Sequence, residues 1–388
     1  MSSKTNKKIK LHNEMSLKEK LRQHSFVKRF NKIDWSNGSN APMVVEFDPT
    51  TACNLACPDC INRDLLNQGF FSRERIKELT KEMVDAGVKA VVLIGGGEPL
   101  IHPEIDWVIE YLGKNNVKIG ITTNGLLIDK HIDCIAKYAS WVRVSVDAAS
   151  SETFKKIRPS RSGESMFDKL TENMKMFAKV KQGTLGYSFM IYSEGEFDKL
   201  KDVGDSLKNG KAFSNVNEIY KAALLAKEFG CDYFEIKPMY NINHFAISQR
   251  KDLIAQVKEE IEKAQSLGDD NFRVLQATKL KKTLSGENNI EEKDYKRCAV
   301  AQLRTLVTPS GVYVCPYFRG RKDKMIGDVR KTSFSDMWHG KQRSQVINSL
   351  DPSNDCKMPC IRHESNLILE DMISGEVIDI IDDFDLFI

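Results

Sequence analysis

Residues 43–63 read MVVEFDPTTACNLACPDCINR. The segment MVVEFD (43–48) reads as a strand, and the loop after it places Cys53, Cys57 and Cys60 within eight residues. Three thiols so close suggest a metal. A closed structural zinc site usually needs four ligands, and no other cysteine lies nearby. Zinc ribbons and fingers pair two CxxC-type knuckles, and none follows within the next 70 residues. Iron–sulfur clusters are held by thiolates on short loops. A cube with three protein thiolates leaves one iron open to an outside ligand.

Downstream the chain alternates. The segment SRERIKELTKEMVDAG (72–87) has apolar residues at helical spacing, and KAVVLIG (89–95) reads as a buried strand. The helix of HPEIDWVIEYLGK, the strand VKIGIT, the helix of IDKHIDCIAKYA and the strand SWVRVSVD (140–147) follow. Then come the helix of MFDKLTENMKMFAKV, the strand LGYSFMIY (185–192), the helix of NVNEIYKAALLAKEFG and the strand CDYFEIKP (231–238). Such alternation implies an α/β fold with a parallel sheet. Six repeats predict an open (β/α)6 version of the eight-fold TIM-like barrel. Chemistry in such barrels sits at the C-terminal ends of the strands, where the cysteines, GGGEP, TTNG and Asp147 all fall. Two segments break the rhythm. Residues 193–214 lengthen one connection, as a lid, a substrate loop or a plain surface excursion. Residues 242–296 are charged and helical, with a strand expected at FRVLQA.

These motifs, in this order over residues 43–240, resemble the radical S-adenosylmethionine (radical SAM) superfamily. The resemblance implies that Cys53, Cys57 and Cys60 hold a [4Fe–4S] cluster whose free iron binds S-adenosylmethionine. Reductive cleavage then yields a 5'-deoxyadenosyl radical that abstracts hydrogen from a substrate carbon, with the protein supplying position and exclusion of water. It also implies that Gly95, Gly96, Gly97 and Glu98 face the methionine amino group. Thr123, Asn124 and Gly125 match the turn after strand 3, and Ser145 and Asp147 the position near the ribose. Arg158 becomes a candidate for the methionine carboxylate, with Ser188 and Ile236–Pro238 as further contacts. A dinucleotide-binding reading of the glycines fails, because Pro99 follows and the third glycine of GxGxxG is absent. One residue departs from the pattern: Asp59 stands where the family usually has an aromatic before the third cysteine.

Four more cysteines gather later, Cys298, Cys315, Cys356 and Cys360. With Gly311–Cys315, Gly327–Asp328–Val329 and Phe334–Trp338 they resemble the SPASM/Twitch extension of radical SAM enzymes. Four thiols imply one auxiliary [4Fe–4S] cluster, hence two clusters per chain. The last pair is CxxxC, which leaves His363 as an alternative ligand and structural zinc as the rival occupant. Cys134 and Cys231 remain, as buried small apolar residues or as hydrogen-atom donors of the kind epimerases need.

The chain has 388 residues, 41% apolar and 29% charged, with a net charge of +4. That balance gives no argument for nucleic acid. The N-terminus lacks a secretory pattern and no run of 18 apolar residues exists, so a cytoplasmic protein without membrane spans is expected. Residues 1–35 carry ten Lys/Arg against three Asp/Glu, whereas residues 367–388 carry seven Asp/Glu and no Lys or Arg. Both ends read as solvated, and nothing in the sequence supports their pairing. The expected divisions are a basic helix and linker (1–42), the barrel (43–240), a helical connection (241–297), the auxiliary-cluster domain (298–366) and an acidic tail (367–388). Only about 40 residues precede strand 1, too few for a packed peptide-recognition domain. The resulting expectation is oxidation or epimerisation of a small polar, sugar-like or nucleotide-linked substrate, with flavodoxin or ferredoxin as electron donor. Alternatives are a peptide maturase that crosslinks or epimerises a residue, and a non-catalytic zinc-binding interaction protein. The arginines Arg304, Arg319, Arg321 and Arg362, with Lys322 and His363, suit anionic groups or a solvated surface.

Overall fold

The computed structural model describes residues 17–35, 41–192, 213–239, 251–286, 292–357, 360–376 and 378–387. The expected lid or substrate loop at 193–214 lies almost wholly outside them. The strands are β1 (Val44–Phe47), β2 (Ala90–Leu93), β3 (Lys118–Thr123), β4 (Ala139–Ser145), β5 (Thr184–Ile191), β6 (Tyr233–Pro238), β7 (Arg273–Gln276), β8 (Arg304–Thr308), β9 (Gly311–Tyr313) and β10 (Met325–Gly327). They form one sheet in the order β10-β9-β8-β1-β2-β3-β4-β5-β6-β7.

β1 to β7 pair in parallel, each with the next in sequence. Helices Arg73–Asp85, Ile105–Lys114, Ile128–Tyr138, Phe167–Val180 and Ile219–Glu228 make the crossovers after β1 to β5. Ser72 fixes the start of the first of these by accepting a hydrogen bond from Arg75 N at 3.1 Å. The parallel run has one strand more than the six alternations in the sequence, because β7 covers the outer edge of β6. An edge strand with unpaired N–H and C=O groups is a liability that such covering removes. At the other edge β8 pairs in parallel with β1, and β9 and β10 continue as an antiparallel hairpin. The expected auxiliary region therefore shares the sheet of the parallel strands.

Strand alternation sorts the side chains into two layers. Val45, Phe47, Val91, Leu93, Ile119, Ile121, Val142 and Val144 belong to the main core, shared with the crossover helices. Val44, Ala90 and Val92 point the other way. They pack in a second core with Leu21, Phe26, Phe30, Leu369 and Phe387, and Trp141 lies against it. That second core covers the N-terminal halves of the inner strand positions. Further along the same face the residues turn polar: Glu46, Thr122, Arg143, Ser145 and Lys237 are all half-buried.

The two charged ends meet. The basic helix expected before the barrel is split into Leu17–Lys20 and His24–Phe30. Between them Gln23 is extended and pairs in parallel with Ile381. Its amide donates to Lys20 O at 2.9 Å and to Asp385 O at 2.5 Å, and accepts from Phe384 N at 2.6 Å and Asp385 N at 2.7 Å. Lys20 reaches Asp385 at 2.6 Å with both side chains nearly buried, and Arg22 reaches Asp379 at 3.1 Å. The two ends that read as solvated in the sequence are thus joined where they cover the inner core. Among the described residues, no helix is long and apolar enough to cross a membrane.

Candidate functional site

The loops after β1, β2, β3 and β4 converge at the C-terminal end of the sheet. Glu98, 2% exposed, is the knot. Its Oε1 accepts from Thr123 Oγ1 at 2.7 Å and Leu100 N at 3.1 Å, and its Oε2 from Asn124 N at 2.7 Å. Burial pushes its carboxyl up to about 7 against the pull of these donors. Gly97 lies so close to the cysteine loop that an added Cβ would meet Ala52 O at 2.1 Å. Only glycine permits that approach, and Glu98 N reaches Ala52 O at 2.8 Å. Gly125 has φ of +80° and would drive a Cβ into Leu170 at 2.3 Å, so the TTNG turn also needs its glycine.

Asn124 Nδ2 bonds Asn54 Oδ1 at 2.7 Å and lies 4.0 Å from Cys53 Sγ. Arg158, at the end of helix Ser151–Ile157, places Nη1 3.9 Å from Cys57 Sγ. Its Nε reaches Asp147 Oδ2 at 2.9 Å, and Nη2 contacts the same oxygen. Asp147 has φ of +61° and is 1% exposed. Its Oδ1 accepts from Met190 N at 2.7 Å, and its carbonyl from Asn215 Nδ2 at 2.9 Å. The carboxylate is therefore taken up by Arg158 and β5, so that it positions Arg158. Ser145 and Ser188 are register partners on β4 and β5. Burial is the first cause that raises the Cys53 thiol, to about 11, and the Cys57 thiol. The N–H groups of Asn124 and Arg158 beside these sulfurs suit thiolates that carry negative charge. The donor set fits an iron–sulfur centre on this loop.

The second cysteine set has the same character. Asn366 Nδ2 lies 3.5 Å from Cys298 Sγ, and Arg362 N donates to Cys360 Sγ at 3.3 Å. Asn366 is fixed in turn by Val300 N, 3.0 Å from its Oδ1. His363 is 8% exposed and stacks on Tyr295, with Nδ1 3.3 Å from the tyrosine hydroxyl. Among the described residues, no three His, Cys, Asp or Glu side chains are gathered so as to hold a single metal ion.

An arginine that the sequence left open between anion binding and a solvated surface links the two regions. Arg319 places Nε 2.9 Å from Asp48 Oδ2 and Nη2 3.0 Å from Asp48 Oδ1, while Nη1 reaches Asn62 Oδ1 at 2.9 Å. Asn62 Nδ2 continues to Gly95 O at 2.9 Å. Asp48, at the end of β1, is fully buried. The only signals in the sequence were an aspartate closing a strand and an arginine four residues after a cysteine.

Cys134 and Cys231 are not brought here. Cys134 Sγ donates to Asp106 O at 3.4 Å, between two crossover helices. Cys231 precedes the N-terminal end of β6 and packs in the main core. In both, burial raises the thiol pKa, for Cys134 to about 12.

A parallel α/β sheet whose strand ends carry a three-cysteine loop, a glycine-linked second loop and an arginine on the cysteines defines a class of cofactor-binding domain. Residues 47–206 match the model of the radical SAM superfamily. Proteins of this superfamily bind a [4Fe–4S] cluster and S-adenosylmethionine. The chain is 31% identical over 134 residues to "Molybdenum cofactor biosynthesis protein 1" of Dictyostelium discoideum, a match over 33% of this chain and 21% of that protein. It is 22% identical over 331 residues to the "AdoMet-dependent heme synthase" of Methanosarcina barkeri, covering 83% of this chain and 88% of that protein. Among solved structures, Streptococcus suis SuiB bound to precursor peptide SuiA shares the fold, with a TM-score of 0.59 at 18% identity. That likeness covers 84% of this chain and 71% of SuiB.

Proposed function

We propose that the chain is a radical SAM enzyme that oxidises or epimerises a small polar substrate. On this reading the parallel strands are the partial barrel and residues 298–366 a Twitch-type extension. The observation that carries it is the loop of Cys53, Cys57 and Cys60, with Asn124 and Arg158 directed at its sulfurs inside a radical SAM domain. When bound, the cluster and S-adenosylmethionine supply a 5'-deoxyadenosyl radical. The chain's own residues bind and orient. Glu98 holds the GGGEP and TTNG loops in one arrangement. Asp147 holds Arg158 in place for the methionine carboxylate, while Gly95–Gly97 offer backbone to the amino group. Ser145 and Ser188 stand at the inner surface for the nucleoside. Cys298, Cys315, Cys356 and Cys360 form the auxiliary cluster site, and a flavodoxin or ferredoxin serves as electron donor.

Anaerobic reconstitution tests this. The expected protein carries roughly eight irons per chain with broad absorbance near about 400 nm, and with dithionite it forms 5'-deoxyadenosine. The triple variant C53A/C57A/C60A should form none; persistent cleavage of S-adenosylmethionine would refute the assignment. A colourless protein with stoichiometric zinc would support the non-catalytic reading instead. The maturase reading rests on a fold shared with SuiB, whereas the charged inner face suits a small charged molecule.

A further inference from the structure

We propose that the substrate carries a carboxylate or phosphate, held between Arg143 on β4 and Lys237 on β6. The proposal rests on the reading above, since it names what occupies the inner face beside the S-adenosylmethionine site. Register places these side chains together. Arg143 is level with Gly186 on β5, and Ser188, two residues on, is level with Glu235 on β6. Arg143, Glu235 and Lys237 therefore point to the same face of the sheet, the polar C-terminal half of the inner surface.

Their pairing leaves positive charge over. Glu235 Oε2 lies 3.5 Å from Arg143 Nη1 and 3.8 Å from Lys237 Nζ. One carboxylate thus faces two cations, and neither contact is tight. Arg143 Nη2 has only a long bond to Thr122 Oγ1, 3.3 Å, and its Nε is buried with no hydrogen-bond partner among the described residues. Glu235 is buried, while the Arg143 and Lys237 side chains keep 29% and 28% exposure. The cations stay partly exposed and their counter-ion does not. A buried donor left unpaired costs about 1–3 kcal/mol, and two half-buried cations that share one carboxylate favour a further anion beside them. Burial, and then the neighbouring Arg143, lower the Lys237 ammonium to about 8. Arg offers a planar fork and Lys a point charge, both suited to oxyanions. A second surplus cation lies on the auxiliary side. Arg304 pairs with Glu46 at 2.7 Å. Arg362, two residues after Cys360 and donating its backbone N–H to that sulfur, has its Nη1 buried without a partner among the described residues.

Calorimetry on the cluster-loaded full chain with S-adenosylmethionine tests the proposal, with inorganic phosphate and malonate as separate probes. One probe should bind to the wild type and identify which oxyanion the site takes. R143Q and K237Q should each weaken that binding by about tenfold or more, the equivalent of losing one charge-assisted bond. K118Q, at an exposed lysine, should bind as the wild type does. E235Q removes the competing carboxylate and should tighten binding several-fold, an outcome that misfolding cannot mimic. No binding of either probe, or equal affinity in wild type, R143Q and E235Q, overturns the proposal. Formation of 5'-deoxyadenosine by the same wild-type sample separates the two readings. If it forms while no anion binds, only the anion site fails; if it does not form, the radical reading fails first.

Discussion

Replacing Arg319 with Met should destabilise the protein far more than loss of an ordinary surface ion pair. Arg319 makes two bonds of 2.9 and 3.0 Å to Asp48 and one of 2.9 Å to Asn62. Asp48 is 0% exposed and the Arg319 side chain 12% exposed, so water replaces little of what is removed. Burial pushes the Asp48 carboxyl up to about 6 even with Arg319 pulling it down, which leaves it ionised at neutral pH only while the arginine is there. Breaking a buried pair from one side costs about 3–5 kcal/mol, against about 0–1 kcal/mol for an exposed pair. Anaerobic urea unfolding of wild type, R319M, D48N and D48N/R319M measures it. The double variant should recover a large part of the loss, because no buried charge is then left alone. Asn62 follows Cys60 by two residues, so R319M should also speed alkylation of that thiol. A loss under about 1 kcal/mol, or losses in the two single variants that simply add, would refute the reasoning.

Other outcomes follow from the same geometry. Asp48 titrates near 6 in the fold and at 3.8 in the reference state, so the fold holds the proton more tightly. Wild type should therefore gain stability relative to D48N, by up to about 3 kcal/mol, as pH falls from about 7 to about 4; a gain on raising pH would contradict it. Gln23→Ala leaves the backbone groups of Phe384 and Asp385 unpaired and should cost about 1–3 kcal/mol, read in urea, with faster proteolysis after residue 376. Deleting residues 378–388 should cost more, since Phe387 and the Lys20–Asp385 pair leave with them. C356A/C360A should lose about four irons per chain and the product while still forming 5'-deoxyadenosine; an unchanged product yield would show the auxiliary site to be dispensable.

The parallel strands were legible because each is a short apolar run followed by a helix of clear period. That the cysteine loop, Asn124 and Arg158 meet was legible too, since each lies in a connection that leaves the C-terminal end of a parallel strand, and such strands end on one side. Periodicity, however, names an element's type and not its partner. Nothing local marks β8 as the neighbour of β1, 257 residues earlier in the Phe47–Arg304 separation. The Arg319–Asp48 pair was hidden for the same reason: a charged residue looks solvated until a distant one buries it. Gln23 and the tail show this most plainly. A polar residue inside a basic stretch gave no sign that its amide would be fully buried by the other end of the chain. For Asp147 the resemblance implies a position near the ribose, and nothing local in the sequence signals that its carboxylate binds Arg158.

The joined ends also set an order of events during synthesis. The inner core contains Phe26 and Phe30 from the start of the chain and Phe387 from its end. Gln23 has no partner for its side-chain carbonyl until Phe384 and Asp385 exist. At about 5–20 residues per second, the free edge of β1 waits tens of seconds for β8, and the first helices wait longer still. The parallel strands β1 to β6 are thus complete well before the chain can seal the underside of its own sheet. The inner face of the sheet therefore stays uncovered from below while the strands that carry the cysteine loop are already made, and it closes only once Phe384 to Phe387 exist.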